Sequence, residues 1–288
     1  VNFTNEEGAR FEPSMMASGI LSGKFDKTLM MQKTDVDEIT FSEALHAMGF
    51  AGDEAARLKE ATAFLELHIE QGPILESENI SIGVVECVVG MVCYELEVTG
   101  ESDHAGTTPM GMRKDALFTA LDVINEVRSR LGNLDEELVF TIGRLNVYPN
   151  IPTVIPNRAV FTLEARHKNP EIIKQVETII SKLTEFSVSG GCEIQARKLW
   201  DRATVWFDDE LLSLINQSAE YLRYSRKRMV SGAGHDAQFI ASYVPTAMVF
   251  VPSIKGKSHC EIELTEWEDC EKGVNVVLET VIRLLEKQ

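Results

Sequence analysis

Several short stretches carry residue types that can do chemistry. Glu6 and Glu7 follow the alternating Val1-Asn2-Phe3-Thr4 and precede Gly8, so they read as adjacent carboxylates at a strand end. Neighbours there point in different directions, which lets one ligate a metal while the other handles protons on a water. A solvated acidic turn is the competing reading. His68, in Leu65-Glu66-Leu67-His68-Ile69-Glu70-Gln71-Gly72-Pro73, has the surroundings of either a ligand at an element's end or a hydrogen-bonded core histidine. His104 lies in Asp103-His104-Ala105-Gly106-Thr107-Thr108-Pro109-Met110, which has too much Gly, Pro and hydroxyl to extend a strand. On such a loop a histidine can donate to a developing oxyanion, or simply be exposed. Arg166 closes an apolar strand beside His167 and can fork onto a carboxylate, internal or on a substrate. Gly232-Ala233-Gly234-His235-Asp236-Ala237 is a Gly-rich turn running into a helix, where free N–H groups favour an anion, but it lacks nucleotide-fingerprint spacing. His259, in Gly256-Lys257-Ser258-His259-Cys260-Glu261, follows a buried strand, a usual address for an α/β active-site residue. A direct Cys260–His259 dyad is disfavoured because adjacent loop side chains diverge.

The elements that must hold these residues fall into two patterns. Residues 40–66 read as helical, with Ser42 as N-cap and Ala44, Leu45, Leu58, Ala61, Phe64 and Leu65 at helical spacing. From residue 88 the order becomes strand (Val88–Val98), helix (Lys114–Leu131), strands (Leu138–Val147, Ala159–Arg166), helix (Glu171–Leu183) and strand (Cys192–Leu199). That β-α-β-β-α-β order is ferredoxin-like and fits an inserted domain. A helix over Glu210–Tyr224, a strand to Val230, a helix from His235, the strand Ala247–Val251 and a final helix over Glu268–Leu285 follow, as a sheet covered on both faces requires.

Composition excludes several classes. The chain has 288 residues, 44 % apolar and 25 % charged, near globular averages. Its net charge of −17 repels phosphate backbones, so nucleic acid is a poor partner. No apolar run has membrane-helix length and no signal pattern opens the sequence. Five cysteines without a CxxC pair indicate neither a disulfide framework nor a thiolate zinc site. These features point to an acidic, soluble, cytoplasmic protein.

Taken in order, Glu6–Phe11 (Glu-Glu-Gly-x-Arg-Phe), His68–Glu76, Asp103–Met110, Phe161–His167, Ser231–Ala237 and Ser258–Glu263 (Ser-His-x-x-x-Glu) resemble the hydantoinase/carbamoylase family of amidases along the whole chain. The resemblance implies a discontinuous α/β metallohydrolase domain (1–87 and 205–288) interrupted by a ferredoxin-like α+β dimerisation domain (88–204). It implies two divalent ions, zinc or manganese, with Glu7 and His259 on one and His68 on the other. Glu6 would be the general base. Gln71, Thr153, Arg166, Gly234 and His235 would hold a small ureido or carbamoyl substrate, with Arg166 on its carboxylate. His104 would reach into the partner's site of a homodimer.

The sequence departs from the family pattern in three places. The family's opening portion, with a further His and a metal-bridging Asp, has no counterpart, so partial or no metal occupancy and negligible turnover are expected of this chain alone. Thr153-Val154-Ile155-Pro156-Asn157 stands where the family has Asn-Val-Ile-Pro-Gly, and a hydroxyl cannot offer an amide's donor-plus-acceptor pair. Cys260-Glu261 replaces a common Asn-Pro. The leading expectation is a metal-dependent hydrolase of linear ureido C–N bonds. The rival is a non-catalytic fragment, a dimerisation or binding module with an incomplete metal site. An aminopeptidase or aminoacylase of the wider superfamily is disfavoured by the contexts of Gln71 and His235.

Overall fold

The structure, a computed structural model, describes residues 1, 3–53, 60–185 and 191–287; Leu58 lies outside them. The chain divides into two compact units, Val1–Val88 with Val205–Gln288, and Val89–Thr204.

The first unit opens with three short helices, α1 (Met16–Leu21), α2 (Lys27–Met31) and α3 (Phe41–Ala47). Val1, Phe3 and Thr4 form no strand, contrary to their alternation, and Thr4-Asn5 is a turn. The expected helix over 40–66 is also corrected. Thr40, not Ser42, caps α3, in a reciprocal capping box with Glu43. The helix stops at Ala47, with Gly49 at a φ of +73° just beyond. Phe64 and Leu65 belong instead to strand β1 (Phe64–Ile69), followed by α4 (Ile74–Ser77) and β2 (Ile82–Val88).

The second unit contains β3 (Gly90–Thr99), α5 (Ala116–Gly132), β4 (Val139–Tyr148), β5 (Arg158–His167), α6 (Pro170–Glu185) and β6 (Glu193–Arg202). Its strands lie in the order β4-β5-β3-β6, every neighbouring pair antiparallel, which is the ferredoxin-like arrangement. Alternation sets the two faces. Val92, Leu96 and Val98 turn inward to Val123 and Val127 of α5 and to Val176 and Ile180 of α6. Glu95 and Glu97 on the other face pair with Arg197 and Arg158. Beyond Thr99↔Arg158 the ladder runs on irregularly: Gly100 N–H donates to Asn157 O (2.8 Å), and His104 bridges Val154.

The chain then returns to the first unit through β7 (Val205–Trp206), α7 (Asp209–Tyr221), β8 (Arg226–Ser231), α8 (Asp236–Ile240), β9 (Thr246–Val251) and α9 (Trp267–Glu286). Strand β9 lies between β1, to which it is parallel, and β2, to which it is antiparallel. On its other edge β2 pairs with β8, and its last residue, Val88, pairs with Val205 of β7. All six residues of β9 are buried, as an apolar run in a sheet covered on both faces should be. Leu67 of β1 and Val251 of β9 pack against Gly273 of α9, where an added Cβ would come within 2.7 Å of them. Alternation therefore sends Glu66 and His68 to the opposite face, which α8 covers. Among the described residues no helix is long and apolar enough to cross a membrane.

Candidate active site

In the first unit the loop Asn5–Gly8 is held from both sides. Asn5 Nδ2 donates to the carbonyls of Phe11 (2.8 Å) and Pro13 (3.2 Å), and Met15 N–H donates to Glu6 O (2.7 Å). Gly8 has a φ of +67°, and a Cβ there would stand 2.7 Å from the Ser14 backbone, so glycine alone fits. This loop brings Glu7 Oε2 to 3.5 Å from His259 Nε2. Burial raises the pKa of the half-buried Glu6, with Glu7 and Asp236 adding to the rise and His259 opposing it.

His259 and Gln71 both have left-handed backbone, with φ of 54° and 57°. Such strain persists only where neighbours impose it, and here the neighbours are clear. Gln71 N–H donates to Ser253 Oγ (3.0 Å), and Gln71 Nε2 to Ser258 Oγ (3.1 Å), 3.4 Å from His259 Nε2. Glu263 Oε2 accepts from His259 N–H (3.0 Å) and Ser258 Oγ (2.6 Å), and these two bonds hold its pKa below the usual carboxylate range. The two carboxylates at His259 thus differ in use: Glu7 faces its ring, and Glu263 positions its backbone. Glu70 also has an internal task, since its oxygens accept the N–H groups of Ile74 and Leu75 (both 2.8 Å) at the start of α4.

On the α8 face of β1, His68 Nδ1 bonds the Ile69 carbonyl (2.8 Å), which places its proton there and leaves the Nε2 lone pair for a ligand. Its ring lies edge-on to His235, with centroids 4.5 Å apart. The Gly-rich turn carrying Gly234 ends at His235, the N-cap of α8, where Ala237 N–H is already taken by Glu66 Oε2 (2.9 Å). The anion favoured at that helix start is internal. Asp236 is likewise engaged, by the Ser18 hydroxyl. His235 is 1 % exposed, and its Nε2 bonds Ser231 Oγ (2.7 Å). Burial, then the nearby His68, drives the pKa of His235 down to about 3. Burial pushes Glu66 up to about 7, against the Ala237 hydrogen bond and with help from Asp236 and Glu6. Glu66, Asp236 and Glu6 line one cavity of about 380 Å³. Sequence reasoning missed Glu66 as a site residue; its signal was the i, i+2 relation to His68 on a strand.

The remaining candidates lie in the second unit. Ala105 N–H donates to Thr153 O (3.0 Å), so His104 and Thr153 share one irregular ladder. Gly106 N–H donates to His104 Nδ1 (3.0 Å), which assigns the ring proton to Nε2 on an exposed side chain. Arg166 sits at the other end of β5, opposite Met91, with its Nε donating to Glu164 Oε1 (2.6 Å). His167 faces Asp135 (3.3 Å) through Nε2 and accepts Asn169 N–H (2.9 Å) at Nδ1, so both nitrogens are used internally.

The donor chemistry fits divalent metal. Glu7 and His259 present a carboxylate and an imidazole at ligand separation, and His68 has the tautomer that a metal-bound imidazole needs.

The profile of the family described as Peptidase family M20/M25/M40 matches residues 1–283. The chain belongs to this family. An N-carbamoyl-L-amino-acid amidohydrolase of Paenarthrobacter aurescens is 36 % identical over 283 residues, covering 96 % of this chain and 69 % of the relative. An allantoate amidohydrolase of Escherichia coli (strain K12) is 34 % identical, covering 96 % of this chain and 68 % of the relative. The crystal structure of an amidase of the hydantoinase/carbamoylase family from Burkholderia multivorans superposes with a TM-score of 0.90 at 39 % identity, covering 96 % of this chain and 68 % of that one. Within the M20/M25/M40 family the chain groups with these amidases, and its chemistry is hydrolysis of a C–N bond in a linear amide.

Proposed function

We propose that the protein is a divalent-metal hydrolase, zinc- or manganese-dependent, of a small linear ureido or carbamoyl substrate such as allantoate or an N-carbamoyl amino acid. It works as a cytoplasmic homodimer joined through residues 88–204, with residues 1–87 and 205–288 as the catalytic domain. The observation that carries this is the convergence of Glu6, Glu7, Gln71 and His259, from three distant stretches, on one locus.

Glu7 and His259 would hold one ion and His68 the other. Bound metal supplies Lewis acidity, which polarises the scissile carbonyl and acidifies water. The residues of the chain do the rest. Glu6 takes the proton of the attacking water and returns it to the departing nitrogen; a pKa raised by burial brings it nearer the working pH of such a shuttle. His104, with its proton on Nε2, donates to the oxyanion. Arg166 forks the substrate carboxylate while Gln71 and the Gly234–His235 turn border the same substrate, and Thr153, on the ladder that carries His104, borders the partner's. Arg166 and His104 belong to different ends of their sheet, which supports their serving different active sites of a dimer.

The test is ammonia release from allantoate and from N-carbamoyl amino acids by the protein with the family's opening portion, its further His and bridging Asp, present. Dialysis against chelator should abolish it, and added Mn²⁺ or Zn²⁺ should restore it. Full turnover by demonstrably metal-free protein would overturn the reading, as would dipeptide cleavage without ureido hydrolysis.

A further inference from the structure

Strands β1 and β9 lie side by side and parallel, so the turn that leaves β1 and the loop that leaves β9 start as neighbours, with Glu70 N–H on Val251 O (2.9 Å). Each segment then gives one backbone N–H to a side chain of the other. Gln71 N–H donates to Ser253 Oγ (3.0 Å), and Lys255 N–H donates to Glu76 Oε2 (2.7 Å). We infer that Ser253 and Glu76 are positioning residues, a reciprocal clasp that sets Gln71 and His259 against each other. The inference rests on the reading of Gln71 and His259 as active-site residues, a reading that itself uses neither Ser253 nor Glu76.

Backbone strain is what calls for a clasp. Gln71 and Lys255 both stand in the left-handed region, at φ of 57° and 55°, and theirs are the two N–H groups that the clasp takes. A residue with a Cβ keeps that conformation only where its surroundings impose it. Between the two bonds Gly256, at a φ of +61°, presses on the turn: a Cβ there would stand 2.7 Å from Pro73 N and 2.9 Å from the Gly72 carbonyl carbon. Beyond the clasp the segments meet again at the site, where Gln71 Nε2 lies 3.1 Å from Ser258 Oγ and 3.4 Å from His259 Nε2. The fold itself has other supports, since Glu70 accepts at the start of α4 and β9 holds β1 along its length. Ser253 is fully buried, so losing its hydroxyl strands the Gln71 N–H without an acceptor. Glu76 offers a charged oxygen, the stronger kind of acceptor. Open either bond, and the left-handed residue it holds is released, along with the approach of Gln71 to His259.

The test uses the protein with the family's opening portion present. In its chelator-treated form, Glu76→Ala should speed amide hydrogen exchange at Gln71, which Glu76 does not touch, by about 10-fold, the scale of one lost charged hydrogen bond. Glu76→Gln should not, because its amide oxygen still accepts Lys255 N–H. Competition against a chromophoric chelator then reads Zn²⁺ affinity. Glu76→Ala and Ser253→Ala should each lower it by about 10–100-fold, as loss of a ligand's supporting partner does, and Glu76→Gln should keep it. The double alanine variant should fall little below the weaker single one, since both changes open one clasp. Urea unfolding checks that the variants fold; if Ser253→Ala does not, the comparison of Glu76→Ala with Glu76→Gln decides alone. Unchanged exchange at Gln71 or unchanged Zn²⁺ affinity in Glu76→Ala, a glutamine variant no better than the alanine one, or losses that multiply in the double variant would overturn the inference. Any of these in a protein that still cleaves ureido substrates leaves the proposed function standing. A working clasp in a protein that cleaves none sinks the function and spares the clasp.

Discussion

His104 and Arg166 stand at opposite ends of one antiparallel ladder: Arg166 pairs with Met91, and His104 bridges Val154 beyond the Thr99↔Arg158 pair. The eight residue steps along β5 from Arg158 to Arg166 alone span about 26 Å at the usual strand rise. No small ureido substrate reaches both ends. If Arg166 serves its own subunit's site and His104 the partner's, two inactive variants should complement each other. In the protein with the family's opening portion present, mixing His104→Ala with Glu6→Gln makes half the dimers hybrids after random exchange, each with one intact site, so about a quarter of the unaltered activity should return. Assay after confirmed subunit exchange checks this; no recovery places His104 in its own chain's site.

The adjacent glutamates should separate by phenotype. In the protein with the family's opening portion present, Glu6→Gln should keep metal content and lose rate by ~10²–10⁴-fold, the scale of a missing general base. Glu7→Gln should lower metal content, because its carboxylate faces His259 Nε2 at 3.5 Å. Metal analysis alongside steady-state rates decides, and reversed phenotypes reverse the assignment.

Acid should act on the protein through His235. Its folded pKa of about 3 lies below the ordinary value of 6.5, because burial penalises the imidazolium. The unfolded chain therefore binds the proton first, and the stability this residue contributes, present above pH 6.5, is lost as pH falls toward 3. Glu66, raised from 4.5 to about 7, slopes the other way and loses stability as pH rises through that interval. In chelator-treated protein, the stability advantage over His235→Asn should shrink between pH 7 and pH 5. Thermal melts across that range measure it, and a constant gap would contradict the burial argument.

Glu70 should matter for folding rather than turnover. It is buried and accepts two N–H groups at the start of α4. Glu70→Ala should cost roughly 1–2 kcal/mol, the range for losing a helix-start acceptor. Urea unfolding checks the size, and the metal content of folded protein should not change.

The two units differ in how far sequence reveals them. The ferredoxin-like order is readable because Val92, Leu96 and Val98 alternate toward helices whose own stripes, Val123–Val127 and Val176–Ile180, are apolar. Strand β1 is not, because its inward positions include Glu66 and His68, which no hydrophobic pattern turns inward. Its flanking Phe64 and Leu65 then fall into helical register with Ala61. The same holds for the site. Glu7, Gln71 and His259 stand out through their motifs, whereas the partnering of Glu66 with Ala237 N–H depends on a parallel β1–β9 pairing that spacing does not encode.

The pairing of Val88 with Val205 has a practical corollary. Two antiparallel strand ends that already face each other are the stem of a hairpin, and the 116 residues between them, Val89–Thr204, occupy the place of its turn. Substituting an Asn-Gly dipeptide for that whole segment would close the stem with a turn whose twist matches the strands. The result would be a continuous minimal protein carrying Glu6, Glu7, His68, His235 and His259 without Arg166 or His104. Such a deletion would separate metal chemistry from the Arg166 clamp and the His104 donor within one polypeptide.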